Sequence, residues 1–153
     1  MTTKQLISLA GGGSLLLLAG AFMFQALGYA PCALCLWQRW PHAAAIAIAV
    51  LALALGIRAL AWLGAVAALT TAGIGIYHTG VERGWWQGPT SCTGGGSDLG
   101  SLDGAALLSL DAPSIVLCDE VAWQFLTLSM ASWNALFSIA LAVIWIMAAR
   151  RPA

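Results

Sequence analysis

Four cysteines carry the most recognisable chemistry of this chain, and they fall into two groups. Cys32 and Cys35 form a C-x-x-C at the edge of an apolar segment, whereas Cys92 and Cys118 lie in the longest polar stretch. The C-x-x-C spacing is typical of a redox dithiol, in which a lowered thiol pKa keeps a thiolate available for cycling between reduced and oxidised forms. Four cysteines allow three pairings, so the sequence predicts thiol–disulfide chemistry and leaves the pairing open.

Other kinds of cysteine site fit the pattern less well. A c-type haem is disfavoured because Leu36, not His, follows Cys35. A four-cysteine zinc site is disfavoured because Cys92 and Cys118 are lone residues and not a second C-x-x-C, so we expect no metal. A disulfide between these two would close a loop of about 27 residues and contribute roughly 3 to 4 kcal/mol as a plain staple. The glycines at 94–96 favour instead an exposed disulfide that exchanges with a partner thiolate.

Arg39 is the charged residue nearest to the C-x-x-C. It lies four positions after Cys35, so on a helix the two share a face, and a cation there would favour the Cys35 thiolate. The alternative is that Arg39 only extends its head group towards the membrane interface. Pro41 predicts that the second helix either starts near Trp40 or kinks near Trp37, because proline is well tolerated only in a first helical turn.

The two histidines carry weaker signals. His78 lies near the outer end of an apolar segment, where it could donate a hydrogen bond to a carbonyl-bearing ligand. On its own it is better interpreted as an interfacial histidine with its hydrogen bonds satisfied. No comparable argument applies to His42.

Apolar helices must hold these residues. The 153 residues are 61% hydrophobic and 8% charged, a composition typical of an integral membrane protein. Long uncharged runs mark the spans and the charges between them mark the loops. We therefore predict an all-α fold with a single domain over 1–153, a four-helix transmembrane bundle with one short and one long extracytoplasmic loop. The spans are expected at roughly 7–27, 40–57, 59–81 and 125–147.

The basic residues predict the orientation of the bundle. Cytoplasmic N- and C-termini leave only Arg39 and Arg83 outside, and all four cysteines then lie on the oxidising side. The basic residues placed inside are Lys4, Arg58, Arg150 and Arg151. A cleaved signal peptide is the alternative for the first span, but the apolar run exceeds the roughly 7 to 15 residues usual for one.

Several short segments together resemble the bacterial DsbB family of disulfide-forming membrane proteins, and the likeness covers nearly the whole chain. The segments are Pro31-Cys32-Ala33-Leu34-Cys35-Leu36-Trp37-Gln38-Arg39, Tyr77-His78-Thr79, Cys92, Cys118-Asp119-Glu120 and Trp123-Gln124-Phe125. One departure is Gln38, which stands where some members carry an acid. The resemblance implies a thiol:quinone oxidoreductase in the bacterial inner membrane, since DsbA, DsbB and quinone keep the periplasm oxidising.

The resemblance also implies roles for individual residues. A reduced DsbA-like protein with a thioredoxin fold would attack Cys92, and Cys118 would pair transiently with Cys32. Cys35 would then pass electrons to a bound quinone, either ubiquinone or menaquinone, with Arg39 and His78 beside its ring. No nucleic-acid partner is expected.

Two other classes stay open at this point. One is an enzyme similar to vitamin K epoxide reductase, in which the C-x-x-C would be expected in a late helix. The other is a non-enzymatic four-span protein held by two structural disulfides.

Overall fold

The computed structural model describes residues 1–89 and 116–151. Four helices in this part of the chain are long and apolar enough to cross a membrane, which confirms the predicted all-α membrane bundle. They are α1 (Thr3–Ala26), α2 (Ala33–Leu55), α3 (Leu60–Glu82) and α4 (Met130–Arg150). A small antiparallel hairpin of β1 (Gln124–Phe125) and β2 (Leu128–Ser129) precedes α4.

The second helix begins earlier than the range 40–57 predicted for it. Cys32 caps α2, because its sulfur accepts a hydrogen bond from the backbone N–H of Cys35 at 3.4 Å. Pro41 lies inside the helix and does not end it. A proline removes one backbone hydrogen bond, and the helix continues on both sides of that gap. The early start brings the C-x-x-C onto the first turn of a membrane helix.

The fourth helix begins later than the range 125–147 predicted for it, because the hairpin occupies 124–129. Its two-residue turn has positive φ at both Leu126 (49°) and Thr127 (66°). Ser129 then caps α4 by accepting a hydrogen bond from the backbone N–H of Ser132. The hairpin thereby sets the path of the backbone between Cys118 and the start of α4.

Small residues allow the helices to pack closely, as membrane bundles require. A Cβ added at Gly64 of α3 would lie 2.5 Å from the indole of Trp145, which is fully buried in α4. A Cβ added at Gly11 of α1 would lie 2.4 Å from the Cβ of Ala49 in α2. Large apolar side chains of the helices point outward instead, as expected for surfaces that face lipid; among the most exposed are Leu16, Trp40, Leu55 and Val66.

The turn between α2 and α3 and the end of α4 lie at the same end of the bundle. The Arg58 guanidinium donates a hydrogen bond to the backbone carbonyl of Arg151. Gly56 ends α2 with a φ of 68°, a left-handed conformation that glycine adopts without steric cost. The C-x-x-C lies at the opposite end of α2.

Candidate functional site

The dithiol lies at the amino-terminal end of α2. The sulfurs of Cys32 and Cys35 are 3.2 Å apart, and both cysteines are free. Cys32 is the residue just before the membrane-spanning helix α2. The hydrogen bond from the Cys35 sulfhydryl lowers the pKa of Cys32 to about 4, although burial opposes the change. A hydrogen bond from His78 acts in the same direction. Both hydrogen bonds favour the thiolate form of Cys32 in the reduced pair.

Cys118 lies beside this thiolate. The Sγ atoms of Cys32 and Cys118 and a ring nitrogen of His78 all lie within 4.8 Å of one another, and all three residues are buried. Cys118 is disulfide-bonded, so its sulfur is not available as a thiolate ligand for a metal. The same proximity suits exchange between Cys118 and Cys32, which needs one sulfur to reach the other. Cys92, the remaining predicted site residue, lies outside the described residues.

His78 contacts the dithiol from α3. Its Nε2 lies 3.5 Å from the Cys32 sulfur and 3.9 Å from Oε1 of Glu82, one helical turn away. The Glu82 carboxylate in turn accepts a hydrogen bond from the Ser129 hydroxyl at the start of α4. Neither Glu82 nor Ser129 was singled out from the sequence. Glu82 faces the ring of His78, and the Ser129 hydroxyl orients the Glu82 carboxylate.

A buried chain of polar side chains continues from His78 across the bundle. Nε2 of Gln38 lies 3.0 Å from Nδ1 of His78 and also donates to the backbone carbonyl of Leu34 at 3.2 Å. Nδ2 of Asn134, from α4, donates to Oε1 of Gln38 at 2.7 Å. Oδ1 of Asn134 lies 2.8 Å from Nε2 of His42. The Thr71 hydroxyl accepts from the Asn134 amide and donates to the Gln38 backbone carbonyl.

The directions of these hydrogen bonds follow from groups that act only as acceptors. The Leu34 carbonyl can only accept, so the atom of Gln38 facing it is the amide nitrogen. That nitrogen must also donate to Nδ1 of His78, which places the proton of the neutral ring on Nε2, facing the Cys32 sulfur. Gln38 therefore fixes the tautomer of His78, and its side chain is directed at His78 and not at Cys35.

Cys35 faces a different environment, an apolar cavity of about 460 Å³. Arg39, Gln38, His42 and Asn134 also line it, whereas Cys32 and His78 do not. An aromatic ladder forms one wall, with consecutive ring centroids 5.2 to 6.4 Å apart, through Phe24, Trp123, Phe125, Trp133 and Phe137. The two sulfurs of the dithiol are thus adjacent, but only Cys35 lines this cavity.

Arg39 is anchored to α1 beside the cavity. Its Nη1 donates to Oε1 of Gln25 at 2.6 Å, and its guanidinium carbon lies 4.8 Å from the centre of the Phe22 ring. The Nε atom is buried and has no hydrogen-bond partner. The predicted pairing of Arg39 and Cys35 on one helix face agrees with their shared cavity wall.

Sequence reasoning missed Asn134, Thr71 and His42. These residues come from three different helices and meet only in the folded bundle. Polar residues inside apolar spans are uncommon and often functional. Their position within predicted spans is the sequence signal from which these three residues could have been selected as candidates. Their mutual contacts are visible only in the structure.

Comparison with known proteins agrees with the site. The family model described as "Disulfide bond formation protein DsbB" matches residues 3–148. A disulfide bond formation protein B of Aromatoleum aromaticum is 32% identical over 141 residues, covering 84% of this chain and 80% of that protein. Another, of Albidiferax ferrireducens, is 30% identical over 155 residues, covering 95% and 87%. No solved structure matches the chain. With its paired thiols at the edge of a four-helix membrane bundle, the chain belongs to the DsbB family of disulfide bond formation proteins and is a membrane thiol oxidoreductase.

Proposed function

We propose that this chain is a thiol:quinone oxidoreductase of the bacterial inner membrane that reoxidises a periplasmic DsbA-like protein. The observation that carries the proposal is the divided surroundings of the dithiol. Cys32 adjoins the disulfide-bonded Cys118, whereas Cys35, 3.2 Å away, lines an apolar cavity with Arg39. Electrons that arrive at Cys32 from Cys118 therefore need to pass only to the neighbouring Cys35 to reach the cavity. The cysteines then face the periplasm, and both termini are cytoplasmic.

The cavity fits a quinone by its chemistry. Its walls are almost entirely apolar and aromatic, which suits a flat ring with an isoprenoid tail. The unpartnered Nε–H of Arg39 is a donor, and a quinone carbonyl is an acceptor. Arg39 would hold that carbonyl while Cys35 adjoins the ring. A bound quinone supplies a two-electron oxidation of the dithiol and takes up two protons as it becomes the quinol.

The outer cysteines receive the electrons first. A thiolate of the reduced partner attacks Cys92, which breaks the Cys92–Cys118 disulfide and frees the Cys118 thiolate. Cys118 attacks Cys32, which breaks the Cys32–Cys35 disulfide and releases Cys35 as a thiolate. The partner's second thiolate displaces Cys92, which then displaces Cys32 from Cys118. The partner leaves with a disulfide, the outer disulfide is restored, and two electrons have reached Cys32 and Cys35.

The positions of the sulfurs support this cycle. The disulfide-bonded Cys118 adjoins Cys32, and the Cys35 sulfur lies 3.2 Å from that of Cys32. The low pKa of Cys32 makes it a good leaving group from Cys118. The hydrogen bond from His78 supports the same thiolate. The further expectation that His78 lies beside the quinone ring stays a prediction. His78 contacts Cys32 and does not line the cavity.

The position of the C-x-x-C argues against the alternative of an enzyme similar to vitamin K epoxide reductase. That alternative expects the motif in a late helix, and here it begins α2. The DsbB relatives favour the same conclusion.

The proposal is tested with the full-length chain in lipid nanodiscs, a reduced thioredoxin-fold partner and either ubiquinone or menaquinone. Cys35→Ser should abolish quinone-dependent oxidation of the partner, followed by the absorbance of the quinone ring. Arg39→Gln should weaken the apparent quinone affinity by roughly tenfold or more, since it removes a hydrogen bond from a charged donor. Arg83→Gln is the matched control, because Arg83 contacts Trp85 and does not line the cavity.

Two results would contradict the assignment. Retained quinone-dependent activity in the Cys35→Ser chain would remove Cys35 from the electron path. Equal quinone affinities for the Arg39→Gln and Arg83→Gln chains would return Arg39 to the role of an interfacial anchor.

A further inference from the structure

His42 is a buried histidine that the relay does not use. It lies one helical turn after Arg39 on α2, is 4% exposed and lines the same cavity as Cys35. Residues three apart on a helix lie on one face, about 5 to 6 Å apart at their Cβ atoms. A ligand held by Arg39 is therefore within reach of His42.

The tautomer of His42 follows from its contact with Asn134. Oε1 of Gln38 only accepts hydrogen bonds, so the Asn134 atom 2.7 Å from it is the amide nitrogen. The atom of Asn134 that faces His42 at 2.8 Å is consequently the oxygen, and Nε2 of His42 must donate to it. In the neutral ring the other nitrogen, Nδ1, carries no proton. This Nδ1 is buried and has no hydrogen-bond partner.

We infer that Nδ1 of His42 accepts a hydrogen bond from a ring hydroxyl in the cavity, and that His42 makes the site prefer the quinol over the quinone. The inference rests on the proposed function, because it assigns a contact to the quinone ring proposed there. A quinone carbonyl oxygen only accepts hydrogen bonds, so it would meet the unprotonated Nδ1 of His42 as a second acceptor and form no hydrogen bond with it. A quinol hydroxyl donates and satisfies the buried nitrogen.

This preference has a redox consequence. Tighter binding of the reduced ring than of the oxidised ring raises the reduction potential of the bound couple, so the bound ring oxidises the dithiol more strongly. A tenfold preference corresponds to about 30 mV for a two-electron couple. In this role His42 changes only the relative affinities for quinol and quinone and forms no bond to either sulfur of the dithiol.

Equilibrium binding tests the inference without turnover. The full-length chain carries Cys35→Ser so that electrons do not pass, and the ligands are a short-tailed, fully substituted benzoquinone and its quinol under anaerobic conditions. Trp123 and Trp133 line the cavity, so quenching of tryptophan fluorescence reports binding of either ligand. His42→Leu should lower the ratio of quinol to quinone affinity by roughly three- to tenfold, the effect of one hydrogen bond to a buried acceptor.

A matched control separates loss of the acceptor from a change of cavity shape. Phe137→Leu alters the apolar wall and no polar atom, so it should change both affinities alike and leave their ratio within about twofold. Asn134→Leu keeps His42 but removes the acceptor that fixes its tautomer, and it should lower the ratio in the same direction as His42→Leu.

The outcomes separate the two proposals. Saturable binding of both rings with the same affinity ratio in the parent, His42→Leu and Asn134→Leu chains would overturn the role of His42 and leave the quinone site standing. Absence of saturable quenching by either ring would overturn the quinone site and the His42 contact with it. Should His42→Leu fail to fold in a thermal unfolding test, the Asn134→Leu ratio decides the question alone.

Discussion

Replacement of His78 by phenylalanine should raise the pKa of the Cys32 thiol. Nε2 of His78 lies 3.5 Å from the Cys32 sulfur and donates a hydrogen bond to its thiolate. Phenylalanine keeps a planar ring at this position but has no N–H. The thiolate then loses one of the donors that stabilise it.

The size of the effect follows from the energy of that hydrogen bond. A hydrogen bond to a charged group contributes about 1.5 to 3 kcal/mol, and one pH unit corresponds to about 1.4 kcal/mol. The pKa of Cys32, held at about 4, should therefore rise by about one to two pH units in the His78→Phe chain. It should stay below the ordinary cysteine value, because the hydrogen bond from Cys35 has the larger effect and is untouched.

The assay is a pH titration of thiolate ultraviolet absorbance in the reduced chain, taken as the difference from the same chain carrying Cys32→Ser. Thr71→Val is the matched control, since it removes a hydroxyl from the same polar chain and leaves the contact between His78 and Cys32 intact. Its titration midpoint should equal that of the parent chain. A His78→Phe midpoint that also equals the parent value would refute the argument that His78 stabilises the Cys32 thiolate.

Two further predictions concern stability. Gly64→Ala should lower the free energy of unfolding by about 1 to 3 kcal/mol in a detergent denaturation experiment, because its Cβ would lie 2.5 Å from the Trp145 indole. Gly73→Ala on the same helix is the control and should not destabilise the protein, because the added Cβ would have no heavy atom of a neighbouring residue within 4 Å. Equal losses of stability in the two variants would contradict the packing argument. The pair Leu126→Asn and Thr127→Gly should raise the thermal midpoint, since both turn residues have positive φ and Asn-Gly is the pair that such a hairpin turn favours; an unchanged or lower midpoint would show that the turn is not strained.

The sequence predicted the chemistry of the site better than the limits of the helices that hold it. The C-x-x-C, Arg39 and the four apolar spans are local patterns, and each is visible in a short window of sequence. The start of α2 was wrong because Cys32 is not among the usual capping residues and Pro41 reads as a helix boundary. The hairpin was not predicted because Leu126-Thr127 carries no turn signal.

The polar chain was beyond prediction for a different reason. Gln38, Thr71 and Asn134 lie on three helices, and their hydrogen bonds join positions from 33 to 96 residues apart in sequence. No pattern in one helix specifies such a meeting. It requires the relative rotation of α2, α3 and α4, which close packing of small residues determines only when all helices are present.

The spacing of the two cysteines explains how one dithiol serves two environments. Cys32 caps α2 and lies beside Cys118 and His78, whereas Cys35 lies one turn inside the helix and lines the cavity. Two intervening residues bring the sulfurs within 3.2 Å, close enough for a disulfide to form with little movement. One more residue between them would turn the second sulfur by about 100° around the helix axis, away from the cavity. The C-x-x-C spacing is therefore the one that joins the proposed exchange site at the membrane edge to the proposed oxidant site within it.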